Sequence, residues 1–176
     1  MTEPTGLPSM PTIELLDPPD DDRARVRDIL DLQEGRWPVP LLGDAAMVDA
    51  LRRARHIAIV GASPSQYRPS NGVMRTLLSA GYDCVPVNPN SQEVLGRPCF
   101  ATVEAAVEAT GPVDIVDVFR RPAATPEVAR SAVAVGANVL WLQLGVISWE
   151  AARIAHEGGL DVVMDRCTAI ELRRVR

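Results

Sequence analysis

The chain predicts a Rossmann-like α/β domain: a five-stranded parallel sheet with helices on both faces. Three observations carry this. Five short runs rich in β-branched residues recur along residues 56–164, helical patterns separate them, and each helical pattern closes on or leads into a glycine (Gly81, Gly111, Gly136, Gly158). Strand and helix alternating at this spacing indicate βαβ units, whose crossovers place helices on both sides of a parallel sheet. Glycine suits the end of each helix because it enters the left-handed conformation without penalty.

The elements follow in order. Residues 1–20 contain five prolines (Pro4, Pro8, Pro11, Pro18, Pro19) and read as an extended lead-in. Their deletion is expected to leave folding nearly intact. Asp20, Asp21 and Asp22 stand where a helix dipole favours acids, so a helix is expected over about 21–34, with Val26, Ile29, Leu30 and Gln33 on one face. Gly35 and Trp37-Pro-Val-Pro end it. Asp44 is expected to cap a second short helix carrying Met47, Val48 and Leu51. The predicted strands are 56–60, 83–87, 113–118, 138–142 and 160–164, and the helices between them lie near 71–80, 102–109, 125–135 and 148–157. Residues 1–43 thus read as an acidic, proline-rich extension with one helix, and residues 44–176 as the domain.

Composition narrows the function. Hydrophobic residues make up 47% and charged residues 23% of 176 residues, an ordinary globular balance. No apolar run approaches the ~20 residues that cross a bilayer, and the N-terminus lacks a secretory pattern, so a soluble cytoplasmic protein is expected. Three cysteines without C-x-x-C spacing and two histidines make no zinc motif. All 18 basic residues are arginine, which excludes a lysine Schiff base or a P-loop lysine. Residues 1–50 carry a net charge of −7 and residues 51–176 a net of +2. That excess is too small for a nucleic-acid footprint but suits a small anion.

In an open α/β sheet the ligand crevice lies beyond the carboxyl ends of the strands. The lining segments should be Gly61–Ser70, Asn88–Asn90, Phe119–Pro122, Gln143–Ile147 and Asp165–Thr168. Gly61-Ala-Ser-Pro-Ser before a helix can present free N–H groups to an anion, although it is not G-x-G-x-x-G and also fits an ordinary turn. An NAD site wants a carboxylate at the end of the second strand for the ribose hydroxyl; here the residues are Val87, Asn88 and Pro89. That vacancy fits a nucleotide with an extra ribose phosphate, NADP included. Arg68, Arg75, Arg120 and Arg121 lie near the crevice as phosphate ligands or as solvated surface.

Six ordered motifs carry a family resemblance: Val60-Gly-Ala-Ser, Gly81-Tyr-Asp-Cys-Val-Pro-Val-Asn-Pro, Leu95-Gly-Arg-Pro, Asp114-Ile-Val-Asp-Val-Phe-Arg, Leu140-Trp-Leu-Gln-Leu-Gly and Val163-Met-Asp-Arg-Cys. Over residues 44–176 the chain resembles the small stand-alone CoA-binding proteins, whose domain is similar to the CoA-binding domain of the succinyl-CoA synthetase α subunit. The resemblance implies that coenzyme A, or an acyl-CoA, is held through its ADP part. It implies a phosphate loop of Gly61, Ala62, Ser63 and Arg68, an adenosine border of Val87, Asn88 and Pro89, and a groove lined by Phe119, Arg120, Gln143 and Gly145. Succinyl-CoA synthesis is not implied, because the synthetases' separate phosphohistidine domain has no counterpart here.

Catalytic candidates are few. Ser63 has no histidine base near it, and Asp114 and Asp117 read as structural. Cys84 and Cys99 read as apolar fillers. Cys167 follows the last strand on the ligand side beside Arg166, which could favour its thiolate and a reversible mixed disulfide with CoA. The chain therefore reads as a non-catalytic binding, carrier or sensor module, with CoA as its small-molecule partner and no nucleic acid or membrane. The alternative is an NADP-type oxidoreductase or a subunit of a CoA-dependent transferase or ligase. Homo-oligomerisation or a protein partner stays open, with the acidic N-terminal piece or an exposed Trp149 serving assembly.

Overall fold

The computed structural model describes residues 24–175; the expectations for the proline-rich lead-in and for Asp20–Asp22 lie outside the described residues. Two helices, α1 (Val26–Gln33) and α2 (Asp44–Arg53), precede the first strand, β1 (His56–Val60). Then come α3 (Pro69–Ser79), β2 (Asp83–Val87), a small hairpin of β3 (Glu93–Val94) and β4 (Arg97–Pro98), and α4 (Val103–Thr110). The chain continues through β5 (Ile115–Val118), α5 (Thr125–Ala134), β6 (Val139–Leu142), α6 (Trp149–Glu157), β7 (Asp161–Val163) and α7 (Thr168–Glu171). The five main strands pair in parallel in the order β2-β1-β5-β6-β7. All five predicted strands are present, each somewhere within its expected span.

Alternation along the strands divides the core in two. Ala58, Val60, Val116, Val118, Leu140 and Leu142 face one side, where α1, α4, α5 and α6 pack. Ile57, Ile59, Ile115, Val139 and Trp141 face the other, against α2, α3 and α7. A period of two in buried parallel strands makes each strand apolar on both faces.

Both sheet edges are covered. Pro86 lies in the edge strand β2, where a missing N–H costs no ladder bond, and its carbonyl accepts from Phe100 N at 3.0 Å. At the other edge Leu42 N donates to Val162 O at 2.8 Å. The segment before β1 therefore packs against the body, with Ala24 and Val39 buried.

Three expectations need correction here. In α1 the expected Ile29 packs on the core, joined there by Leu32, while Val26, Leu30 and Gln33 are exposed. Asp44 does not cap α2: Gly43 holds the N-cap position, and the Asp44 carboxylate pairs with Arg174 at 2.9 Å and Arg166 at 3.3 Å. Those arginines hold the Asp44 carboxyl below the usual range. Trp149, expected exposed, is only 5% accessible, and its indole N–H donates to Asp28 O at 3.2 Å, fastening α1 to α6. Among the described residues no helix is long and apolar enough to cross a membrane.

Candidate functional site

The strand order reverses between β1 and β5, and there the loops after the two strands diverge and leave a crevice. A groove of ≈ 690 Å³ occupies it, lined at its centre by Gly61, Ser63, Arg68, Phe119 and Arg120. A second hollow of ≈ 360 Å³ meets the first at Gly61 and Arg120 and takes Val87 and Pro89 into its wall.

The loop after β1 owes its shape to three features. Gly61 adopts φ +86° and passes so close to β5 that a Cβ there would lie 2.8 Å from Phe119 O. Ser63 Oγ accepts from Ser65 N at 3.2 Å, tightening the turn. The buried Asn71 side chain then donates to Ser63 O at 2.9 Å, tying the loop to α3, and Pro69 starts that helix in its first turn, where proline is tolerated.

Asn88 explains why no carboxylate ends β2. Its Nδ2 donates to Ala62 O at 2.7 Å, and its Oδ1 accepts from Asn90 N at 2.9 Å. Aspartate could accept but not donate, and would set a charge against the Ala62 carbonyl. The asparagine thus binds the end of β2 to the phosphate loop.

Of the twelve residues singled out by sequence, Gly61, Ser63, Arg68, Asn88, Phe119, Arg120, Gln143, Gly145 and Cys167 line the main groove. Val87 and Pro89 line the second hollow. Ala62 lines neither: the whole residue is buried in the core, and its carbonyl accepts from Asn88 Nδ2. Arg121, Asn90, Leu144 and Val146 belong to the predicted segments and are in the wall, whereas Arg75, expected near the crevice, is outside it and bonds to Asn71. Val73 also lines the groove from within α3, outside the segments expected to form its wall.

The floor of the groove is polar. Asp117 on β5 is fully buried, accepts from Gln143 Nε2 at 2.7 Å and from the Thr168 hydroxyl at 3.0 Å, and is pushed up to about 7 by desolvation, against the pull of those bonds. An acid that keeps its proton longer in the native state makes unfolding release that proton. Stability therefore falls as pH rises from about 4 to about 7, by at most about 1.4 kcal/mol per pH unit, and levels off above. Asp117→Asn is expected to flatten this slope. Urea unfolding of both proteins at pH 5.5 and 6.5 checks it; equal slopes would refute the assignment.

Cys167 lines the groove, but the neighbouring Arg166 guanidinium bonds Asp44 and Glu171, so the charge expected to favour a thiolate is engaged elsewhere. Cys84 is buried, and desolvation pushes its thiol up to about 12, consistent with a filler. His56 begins β1 at the opposite end of the sheet, with Nδ1 2.8 Å from Pro112 O, and His156 is in the last turn of α6. Among the described residues no group of His, Cys, Asp and Glu is arranged to hold a metal ion.

A family model described as a CoA binding domain matches residues 55–173. The uncharacterised protein YneT of Bacillus subtilis (strain 168) is 38% identical over 126 residues, covering 72% of this chain and 91% of its own. A hypothetical protein from Pyrococcus horikoshii OT3 is similar in structure, with a TM-score of 0.72 and 40% identity over 76% of this chain and 92% of its own. A Thermus thermophilus structure gives a TM-score of 0.70 and 34% identity, covering 77% of this chain and all of that one (100%).

Proposed function

Because the chain belongs to the CoA-binding domain family, we propose that the groove beyond β1 and β5 holds coenzyme A or an acyl-CoA through its ADP part, as a binding, carrier or sensor module without chemistry of its own. The observation that carries this is the pairing of an uncharged, donating Asn88 at the end of β2 with Arg68 and Arg120 in the groove wall. Arg68 and Arg120 are paired with no carboxylate among the described residues, so their charge is available to phosphate. The N–H groups of Ser63 in the loop and Ser70 at the start of α3 are the backbone donors for the pyrophosphate, since Gly61 N is bonded to Val87 O and Asn71 N to Arg68 O. Val87, Asn88 and Pro89 border the adenosine, and Phe119, Gln143, Gly145 and Cys167 flank the remaining arm. Both histidines lie away from this groove, which supports binding over catalysis.

Calorimetric titration with CoA, dephospho-CoA, NAD and NADP tests the reading. CoA is expected to bind at least tenfold tighter than NAD, since one charge-assisted hydrogen bond is worth about that factor. Equal or tighter binding of NAD would overturn it.

A further inference from the structure

Beneath the groove, Asp117 takes part in a closed set of hydrogen bonds that holds no phosphate. Gln143 Nε2 donates to Asp117 Oδ1 at 2.7 Å and to Thr168 Oγ1 at 2.8 Å, while the Thr168 hydroxyl donates to Asp117 Oδ2 at 3.0 Å. All three side chains are buried. The carboxylate accepts only, so both amide protons and the hydroxyl proton are turned inward. Gln143 Oε1 is left outside the set. Among the described residues no buried side-chain oxygen or nitrogen lacks a partner, so this oxygen is not sealed in the core; it opens onto the groove whose wall Gln143 forms. Turning the carboxamide over would press Oε1 against a carboxylate.

We propose that Asp117 is a positioning residue which, through Gln143, sets a hydrogen-bond acceptor in the groove wall, so that the groove selects a ligand whose arm carries an N–H or O–H donor. The inference rests on the coenzyme A reading and specifies its arm. Gln143 follows β6 and the phosphate loop follows β1, with β5 between them. Strands ~4.8 Å apart place the acceptor roughly 10 Å from the bound phosphates. With adenosine beside β2, the pantetheine arm extends toward β6, and its amide N–H groups are donors of the required kind. A nucleotide without that arm makes no use of the acceptor.

The test is run at pH 8 on the intact protein and on Asp117→Asn. In the variant one carboxylate oxygen becomes an N–H donor, so the set no longer forces the Gln143 amide inward: turned over, its oxygen accepts from the new amide and its own N–H groups face the groove. By ¹⁵N NMR the Gln143 side-chain protons should exchange slowly in the wild type and much faster in the variant. By calorimetry Asp117→Asn should lose about tenfold in CoA affinity, the worth of one hydrogen bond, and nothing for adenosine 3′,5′-bisphosphate, which lacks the arm. Equal losses for both ligands would make Asp117 a purely structural residue and overturn the proposal, as would unchanged CoA affinity. If the wild type binds neither nucleotide, the coenzyme A reading fails by itself. The exchange rates still decide the positioning role: fast exchange in the wild type overturns it, and slow exchange released by Asp117→Asn upholds it. Should that variant not fold, Thr168→Val removes one of the two Nε2 acceptors and is expected to show the same selective loss; a loss shared by both ligands would again overturn the proposal.

Discussion

Arg120→Ala is expected to weaken CoA binding by about 1.5–3 kcal/mol, the range for a charge-assisted bond to phosphate. Arg120 stands at the junction of the two hollows, where a phosphate linking adenosine to an arm must pass. Its side chain is exposed and away from the core, so the fold should be untouched. Calorimetry reads the affinity and thermal unfolding supplies the control. A second signature is salt: the wild type should lose affinity steeply between low and moderate ionic strength, and the variant less so, because screening acts on the charge that was removed. Affinity unchanged within error would return Arg120 to solvated surface.

The sheet was legible because a buried parallel strand advertises itself. Runs such as Ile57-Ala-Ile-Val and Val139-Leu-Trp-Leu are apolar on both faces, and this pattern survives without tertiary information. Shorter pieces carry no period to read. The β3–β4 hairpin has two residues per strand and depends on Leu95 and Gly96 both adopting positive φ, while α7 is a single turn. Which residues of α1 face the core is hidden for a different reason. Val26/Leu30 and Ile29/Leu32 are both apolar pairs at helical spacing, and only the position of α6 decides which is buried.

The groove was legible in outline because a doubly wound sheet has only one end at which its loops can gather a ligand, and the polar residues there stand in identifiable segments. What stayed hidden are the roles that need a distant partner. Asn88 reads as a turn residue until its amide is found on Ala62 O, 26 positions away. Asp117 reads as a polar interruption in a strand until Gln143 and Thr168, 26 and 51 positions on, are found bonded to it. Adjacency in the chain assigns Arg166 to Cys167, yet its reach carries the charge to Asp44, 122 positions back.

Gly61→Ala is expected to damage both stability and binding. At φ +86° an alanine carries the left-handed penalty of roughly 1–2 kcal/mol, and here the added Cβ also meets backbone. It would sit 2.8 Å from Phe119 O and 3.1 Å from Phe119 C, atoms held by the Phe119 N–Val60 O bond of 2.8 Å. Backbone so tied cannot step aside as a flexible side chain would, so the β1 and β5 loops must part. A total cost of roughly 2–4 kcal/mol follows, a fall in melting temperature on the order of 5–15 °C for a chain of this size. The same Cβ would come within 3.2 Å of Arg120 Cδ, displacing the guanidinium that Arg120→Ala removes. CoA affinity should therefore fall at least as far as in Arg120→Ala, and adding Arg120→Ala to Gly61→Ala should cost much less than it does in the wild type, because the two act on one group. Melting curves and calorimetry on the two single variants and the double variant decide it: fully additive losses would mean that Gly61 shapes the site independently of Arg120.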